Sequence, residues 1–295
     1  MKKLLALLTG TVVLTLLMGV AHADAPTKQE GRVWIDTNLL LVFSPEWSLT
    51  TMPGARVEFA RSREGNAGMQ FLELFFGPNY THKMGNLTLK GSLWYYYMGY
   101  PQRGRLKEAA DGTLGCGAVS APNYCPQNYN ASHNIEIIPA AEYRMGRWSI
   151  YDRVIFHNTF YADVDSAPSG DSGVSDLRWG WGTVLRELLQ VRFAVTDRLG
   201  VSLSDELFFG IIEDGDTSKM PKNAGYTPLG YWKDGFRYNR TYLGFDYKVA
   251  PNFTIAPMYM MEIGVSPIDS ADVTDIAHTL FVVATMSANV FGDGK

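Results

Sequence analysis

Nine basic and six acidic side chains recur at positions that alternate with apolar ones. The basic set is Arg56, Lys90, Arg144, Arg147, Arg153, Arg186, Arg192, Arg240 and Lys248, and the acidic set is Asp36, Glu58, Glu136, Glu142, Glu206 and Asp246. Residues two apart on a strand share a face, so these charges gather on the side opposite their apolar neighbours. On the inner side of a closed sheet they would form cross-strand ladders of ion pairs and charge-assisted hydrogen bonds. His157 shares that face with Ser149, Tyr151 and Arg153 and suits a hydrogen bond in the same interior. Such a lining has two uses: an arginine-rich zone can select small solutes in a pore, or the same charges and rings can fill a narrow lumen as a plug.

Other chemistry is less well supplied. Ser132-His133-Asn134 resembles the ingredients of a hydrolase that works on a barrel's outer wall. Adjacent residues of a strand point to opposite faces, however, so Ser132 and His133 cannot cooperate there and no catalytic residue is assigned. Glu136 and Glu142 share a face but lie roughly 20 Å apart along a strand, too far to act on one bond. Glu213, Asp214 and Asp216 form an acidic stretch without the spacing of a calcium loop, which reads as a solvated tip, so no metal is expected. No glycine-rich phosphate cradle precedes a helix and no haem-attachment motif occurs, so no cofactor is expected. Cys116 and Cys125 flank a segment rich in Pro, Gly and Asn. In an oxidising compartment they are expected to close a small loop as a disulfide. Zinc is the alternative, and the segment between them holds no histidine.

The elements that must position these charges are strands. Period-2 alternation recurs in eleven segments, near 32–43, 47–61, 69–82, 86–100, 133–145, 147–160, 178–195, 199–213, 236–249, 252–264 and 277–291. Several reach the 9–11 residues or so that a tilted strand needs to cross a bilayer. Connections alternate between short turns, such as Lys83-Met84-Gly85 and Ala250-Pro251-Asn252, and long polar segments, such as 102–132 and 214–235. Short turns on one rim and long loops on the other are the habit of outer-membrane barrels. The segment NLTLKGSLWYYYMGY places Tyr95 and Tyr97, with Tyr100 near the strand end, at a membrane's polar boundary, and Trp94 and Tyr96 inward. Trp148 and Phe160 mark the two ends of another strand in the same way.

The expected fold is a single closed, antiparallel, up-and-down transmembrane β-barrel of about 12 strands over residues 24–295, with ten as the fallback. Eleven strands with the short turns inside would start the first strand outside, and bacterial barrels usually have even numbers. A soluble sandwich or a lipocalin-like barrel with the rings in its core is the alternative. Three acids misfit: Asp152, Glu187 and Asp205 fall on greasy faces, which requires a bulge that turns them inward or a place at a rim. FLELFF (71–76) barely alternates, and Phe291 is followed by Gly292-Asp293-Gly294-Lys295 where a barrel commonly ends on an aromatic.

The N-terminus carries a short basic head, an apolar run Leu4 to Val20 and the small residues of Ala21-His22-Ala23. This predicts a secretory signal peptide over 1–23. Removing 23 of the 295 residues leaves 272, enough for one large domain. No basic run with interleaved aromatics occurs, so a nucleic-acid partner is not expected. Aromatic residues at 13% and 29 glycines, without a long apolar run after the leader, suit a secreted β protein or a transmembrane barrel.

Several pieces occur together in order: Trp34 with Asp36 and Asn38, then PEWSLTTMPGARVEFAR, Met98-Gly99-Tyr100, Arg153, WGWGTVLRELLQVRF, SLSDELFF and RYNRTYLGFDYKVAPNFTIAPMYMM. This order resembles an uncharacterised family of Gram-negative outer-membrane β-barrels, domain of unknown function 2490, over nearly the whole mature chain. The resemblance implies the barrel fold and the cell outer membrane as its location, with no catalytic residue to carry over. The expected function is porin-like passage of small hydrophilic solutes through the charged lumen, the partners being outer-membrane lipid and that solute. The alternatives are an outer-membrane lipid hydrolase and a plugged structural barrel of the envelope.

Overall fold

A computed structural model describes residues 28–61, 68–101, 107–108, 114–115, 129–162, 179–213, 235–265 and 273–291. The leader 1–23, Cys116 and Cys125, and the acidic stretch at Asp214 and Asp216 lie outside them. Everything described is strand or tight turn. The strands are β1 (Lys28–Val42), β2 (Trp47–Arg61), β3 (Gly68–Met84), β4 (Leu87–Pro101), the two-residue β5 (Lys107–Glu108) and β6 (Leu114–Gly115), β7 (Tyr129–Met145), β8 (Trp148–Ala162), β9 (Trp179–Ala194), β10 (Leu199–Glu213), β11 (Gly235–Ala250), β12 (Phe253–Val265) and β13 (Val273–Asn289). Eleven of them close into a barrel in the order β1-β13-β12-β11-β10-β9-β8-β7-β4-β3-β2, while β5 and β6 pair only with each other.

The fold is the expected all-β closed barrel, and its strand number answers the parity question. Every neighbouring pair is antiparallel except the closing one, where β1 and β13 run parallel from Lys28 opposite Asp275 to Val42 opposite Asn289. An odd number of up-and-down strands leaves first and last pointing the same way, and the ladder closes because parallel edges also pair N–H with C=O. No twelfth strand is needed to remove the edges.

Alternation sorts the wall in every strand. Leu89, Leu93 and Tyr95 of β4 face out and are exposed, while Thr88 and Tyr96 are buried. The exposed side carries Ile35, Leu74, Phe76, Ile137, Phe156, Leu203, Leu243 and Leu280, a continuous greasy surface. Strands of 13–17 residues are far longer than the usual five or six of soluble sheets. Aromatic pairs collect on this outer side near the short turns: Trp47 with Tyr80 at 5.0 Å, Trp148 with Phe193 at 4.7 Å, and Phe43 with Phe291 at 6.0 Å. Phe291 therefore closes a ring pair at the turn rim although four residues follow it.

All five hairpin connections at that rim are short. Gly85 and Gly146 have φ of 59°, the left-handed conformation that a two-residue turn demands and that only glycine takes without strain. The other rim joins β2 to β3, β4 to β7, β8 to β9, β10 to β11 and β12 to β13 by the longer segments.

Candidate functional site

Inside the barrel a belt of ion pairs runs from strand to strand. On β1, Asp36 accepts from Arg56 of β2 through Nη1 at 2.5 Å and Nη2 at 3.1 Å. The same guanidinium donates to Glu73 of β3. Glu73 in turn accepts from the Tyr96 hydroxyl of β4 at 2.6 Å. The Tyr96 ring stacks on Phe75 at 3.8 Å and meets the edge of His157 at 5.7 Å. His157 Nδ1 of β8 lies 2.6 Å from Glu136 of β7, which also accepts from Arg186 of β9 at 3.3 Å.

The belt continues around the other half. Arg186 donates to Glu206 of β10 at 2.8 Å, and Glu206 also accepts from Arg153 at 3.3 Å and from the Tyr242 hydroxyl of β11 at 2.5 Å. Arg240 lies 4.0 Å from Glu206 and donates to Glu262 of β12 at 2.5 Å. Glu262 accepts from Arg32 at 2.9 Å, which returns the belt to β1. On β4 the belt has the neutral Tyr96 hydroxyl in place of a charge, and β13 contributes Phe281, which meets Trp34 edge-on at 5.7 Å.

Rings fill the space between the charges. The Arg56 and Arg240 guanidiniums lie 4.5 and 5.0 Å from the Trp34 centroid. Arg186 and Arg240 both approach the Phe208 ring, at 4.8 and 4.5 Å. Trp34, Tyr242 and Met260 form one buried cluster with Leu188, Met258 and Phe281 against it. These residues come from β1, β13, β12, β11 and β9, so the cluster covers about half of the barrel's inner circumference. Glu136 and Glu206 are 1% and 0% exposed. At such depth a carboxylate is tolerable only when paired and hydrogen-bonded. The belt supplies five guanidiniums (Arg32, Arg56, Arg153, Arg186, Arg240) against five carboxylates (Asp36, Glu73, Glu136, Glu206, Glu262).

Gly54 makes part of this possible. A Cβ there would overlap the carboxylates of Asp36 and Glu73, so glycine on β2 is what lets both acids close on Arg56 from its two flanks.

Nearer the turn rim a looser set of charges follows. Lys90 and Arg144 both donate to Glu142, at 2.9 and 2.7 Å, and Arg192 grips Asp246 at 2.7 and 2.6 Å. The Arg144 side chain is 64% exposed, and Lys248 is exposed as well. Arg147 departs from the lumen-lining expectation. It sits in the turn after Gly146, donates to the Val195 carbonyl and lies over the Phe193 ring at the rim, because the turn ends the alternation that its spacing suggested. The side chain of Glu58 lies outside the described residues. Spacing overlooked Arg32, Glu73 and Glu262. Arg32 shares parity with Trp34 and Asp36, which was signal enough. Glu73 sits in FLELFF, and Glu262 follows two inward methionines, so neither stood out.

The three misfit acids are neither turned inward nor at a rim. Asp152 and Asp205 both pair with Leu189 of β9, from either side, and Glu187 is two residues away on the same face. Asp152 and Glu187 are exposed on the outer wall. Asp205 accepts from Asn239 at 2.8 Å and Thr241 at 3.2 Å. A charge on a lipid-facing wall near mid-depth is unfavourable, acids less so than Arg or Lys. Replacing Asp152 and Glu187 by leucine together is expected to raise stability in lipid vesicles by up to about 2 kcal/mol, read from the urea midpoint. A loss of stability would mean that this face meets something other than hydrocarbon.

Two outward histidines are held by tyrosines: the Tyr95 hydroxyl lies 2.6 Å from His133 Nδ1, and the Tyr259 hydroxyl 2.6 Å from His278 Nδ1; His82, also outward, lies opposite Leu89 near the turn rim. Among the described residues no group of three or more His, Cys, Asp or Glu has the geometry to hold a metal ion.

A scan against models of known protein families finds no match, and a search of curated proteins finds no relative.

Proposed function

We propose that this chain is an outer-membrane β-barrel, exported by its leader, whose resting lumen is shut at mid-height by the ionic belt. It serves as a plugged barrel of the envelope rather than an open porin. The greasy outer wall, the strand lengths and the short-turn and long-loop rims support this location, and it is what the resemblance to domain of unknown function 2490 implies.

One observation carries the plugged reading: the belt's paired charges, buried or half-buried, come from every barrel strand except β4, which bridges the belt through Tyr96, and β13, with the Trp34 and Phe208 rings packed against guanidiniums. A filter that passes ions presents an excess of one sign to water. Among the described residues the belt sets five guanidiniums against five carboxylates, each engaged with at least one of the opposite sign. Passage of a hydrophilic solute would require separating these pairs in a confined space, at several kcal/mol each. The hydrolase alternative gains no support from the outer wall, where His133 and His278 are each engaged by a phenol rather than a serine hydroxyl and His82 lies opposite Leu89.

Planar-bilayer recording of the purified protein tests this directly. The expected trace shows no current above the lipid background over repeated insertions. Stable unitary steps from the wild-type chain would overturn the plug and restore the porin.

A further inference from the structure

The outer wall repeats one arrangement twice. Tyr95 of β4 and His133 of β7 are diagonal neighbours, since Tyr97 is the residue opposite His133. Tyr259 of β12 and His278 of β13 are diagonal neighbours in the same sense, since Met261 is opposite His278. Both hydroxyl-to-Nδ1 distances are 2.6 Å. The two pairs sit on opposite sides of the barrel, separated by four strands one way and three the other. Ring contacts flank each histidine: Tyr97 at 5.6 Å from His133, and Tyr259 nearly parallel to His278 at 6.1 Å.

The pairing decides the tautomer. A phenol is the better donor and a neutral imidazole nitrogen the better acceptor, so Nδ1 accepts and the ring proton stays on Nε2. That N–H has no protein partner among the described residues, and both histidines are only half-buried on the outer side. The pair therefore presents an outward N–H.

Depth says what that donor meets. On β7, His133 stands ten residues from Tyr143, an exposed ring near the turn rim. Ten residues span roughly 33 Å along a strand, and a tilt near 40° reduces this to roughly 25 Å of height. An outer-membrane barrel's apolar band is about that tall, so His133 sits at the polar boundary on the long-loop side.

We propose that Tyr95–His133 and Tyr259–His278 are two lipid-headgroup clamps, each donating Nε2–H to a phosphate oxygen of a lipid in the leaflet on the long-loop side. Phosphate oxygens accept and never donate, as this donor requires, and the neighbouring rings give the glycerol or sugar beyond them a flat apolar seat. The inference rests on the barrel spanning a membrane.

The test uses full-length mature protein with 15N-labelled histidine in nanodiscs. One set contains phosphatidylglycerol, a second contains an uncharged galactolipid with the same ester-linked chains, and a third is the second with inorganic phosphate added. His133→Gln and His278→Gln assign the resonances. The expected result is a shift of both Nε2 signals in phosphatidylglycerol against galactolipid, with no shift from inorganic phosphate and none at His157. Tyr95→Phe should loosen the tautomer and diminish the shift at His133 alone. Identical signals in the two lipids would overturn the clamps, and an equal shift from inorganic phosphate would overturn the headgroup as the source. Discs with brominated acyl chains report separately on the premise. Tryptophan quenching without the histidine shift removes the clamps and leaves the spanning barrel, whereas no quenching removes both.

Discussion

Glu206→Leu is expected to destabilise the barrel by about 3–5 kcal/mol, the cost of stripping one partner from a buried ion pair. The carboxylate is fully buried and accepts from Arg186, Arg153 and Tyr242, with Arg240 within 4.0 Å. Leucine has a similar volume but accepts nothing. Three guanidiniums would be left confined with fewer counter-charges than their number, and the phenol would lose its acceptor. Glu206→Gln keeps an acceptor and the shape, so its loss should be smaller, because only the charge goes. Reversible urea unfolding from lipid vesicles, followed by tryptophan fluorescence, measures both. An unchanged midpoint for Glu206→Leu would show that the guanidiniums are already solvated by an open lumen, which would also remove the plug.

Arg56→Met should cost a comparable amount at the other end of the belt, and here the cause can be isolated. Arg56 is the shared partner of Asp36 and Glu73, and its guanidinium packs against the Trp34 and Phe281 ring pair at 4.5 and 5.1 Å. Methionine preserves most of the apolar stem against those rings. What remains is two buried carboxylates facing each other without a cation. Adding Asp36→Asn and Glu73→Gln should recover most of the lost stability, since amides can hydrogen-bond to one another where carboxylates repel. Non-additivity of this size is the signature of residues that act as one unit. If the triple variant is no better than Arg56→Met alone, the arginine matters for packing and not for charge. Gly54, whose missing Cβ leaves room for both acids, belongs to the same unit.

Much of the barrel could be read from alternation. Each of the eleven patterned segments became a barrel strand, because a wall with apolar side chains on one face and charges on the other requires period 2 over its whole length. The inward placement of Trp94 and Tyr96, and the outward placement of Tyr95, followed from the same parity. Trp94 donates to Asn79 at 2.8 Å and Tyr95 is exposed. Alternation failed where a local feature interrupts it. Arg147 has inward parity but sits past a glycine with φ of 59°. Glu262 follows Met258 and Met260, so its strand reads as apolar on both faces.

The composition and order of residues suffice to specify an all-strand wall, its two faces, and a store of opposite charges on one of them. They do not specify which charge meets which. Arg32 and Glu262 are 230 residues apart and become neighbours only because β1 and β13 close the cylinder in parallel register. Backbone hydrogen bonding, which makes that seam, is common to all residues and leaves no mark in the side-chain sequence. Tertiary closure therefore decided that the inward charges form one balanced belt across the interior. It also decided that Asp152, Glu187 and Asp205 share one patch of outer wall, because register between strands brings together residues that chain distance keeps apart.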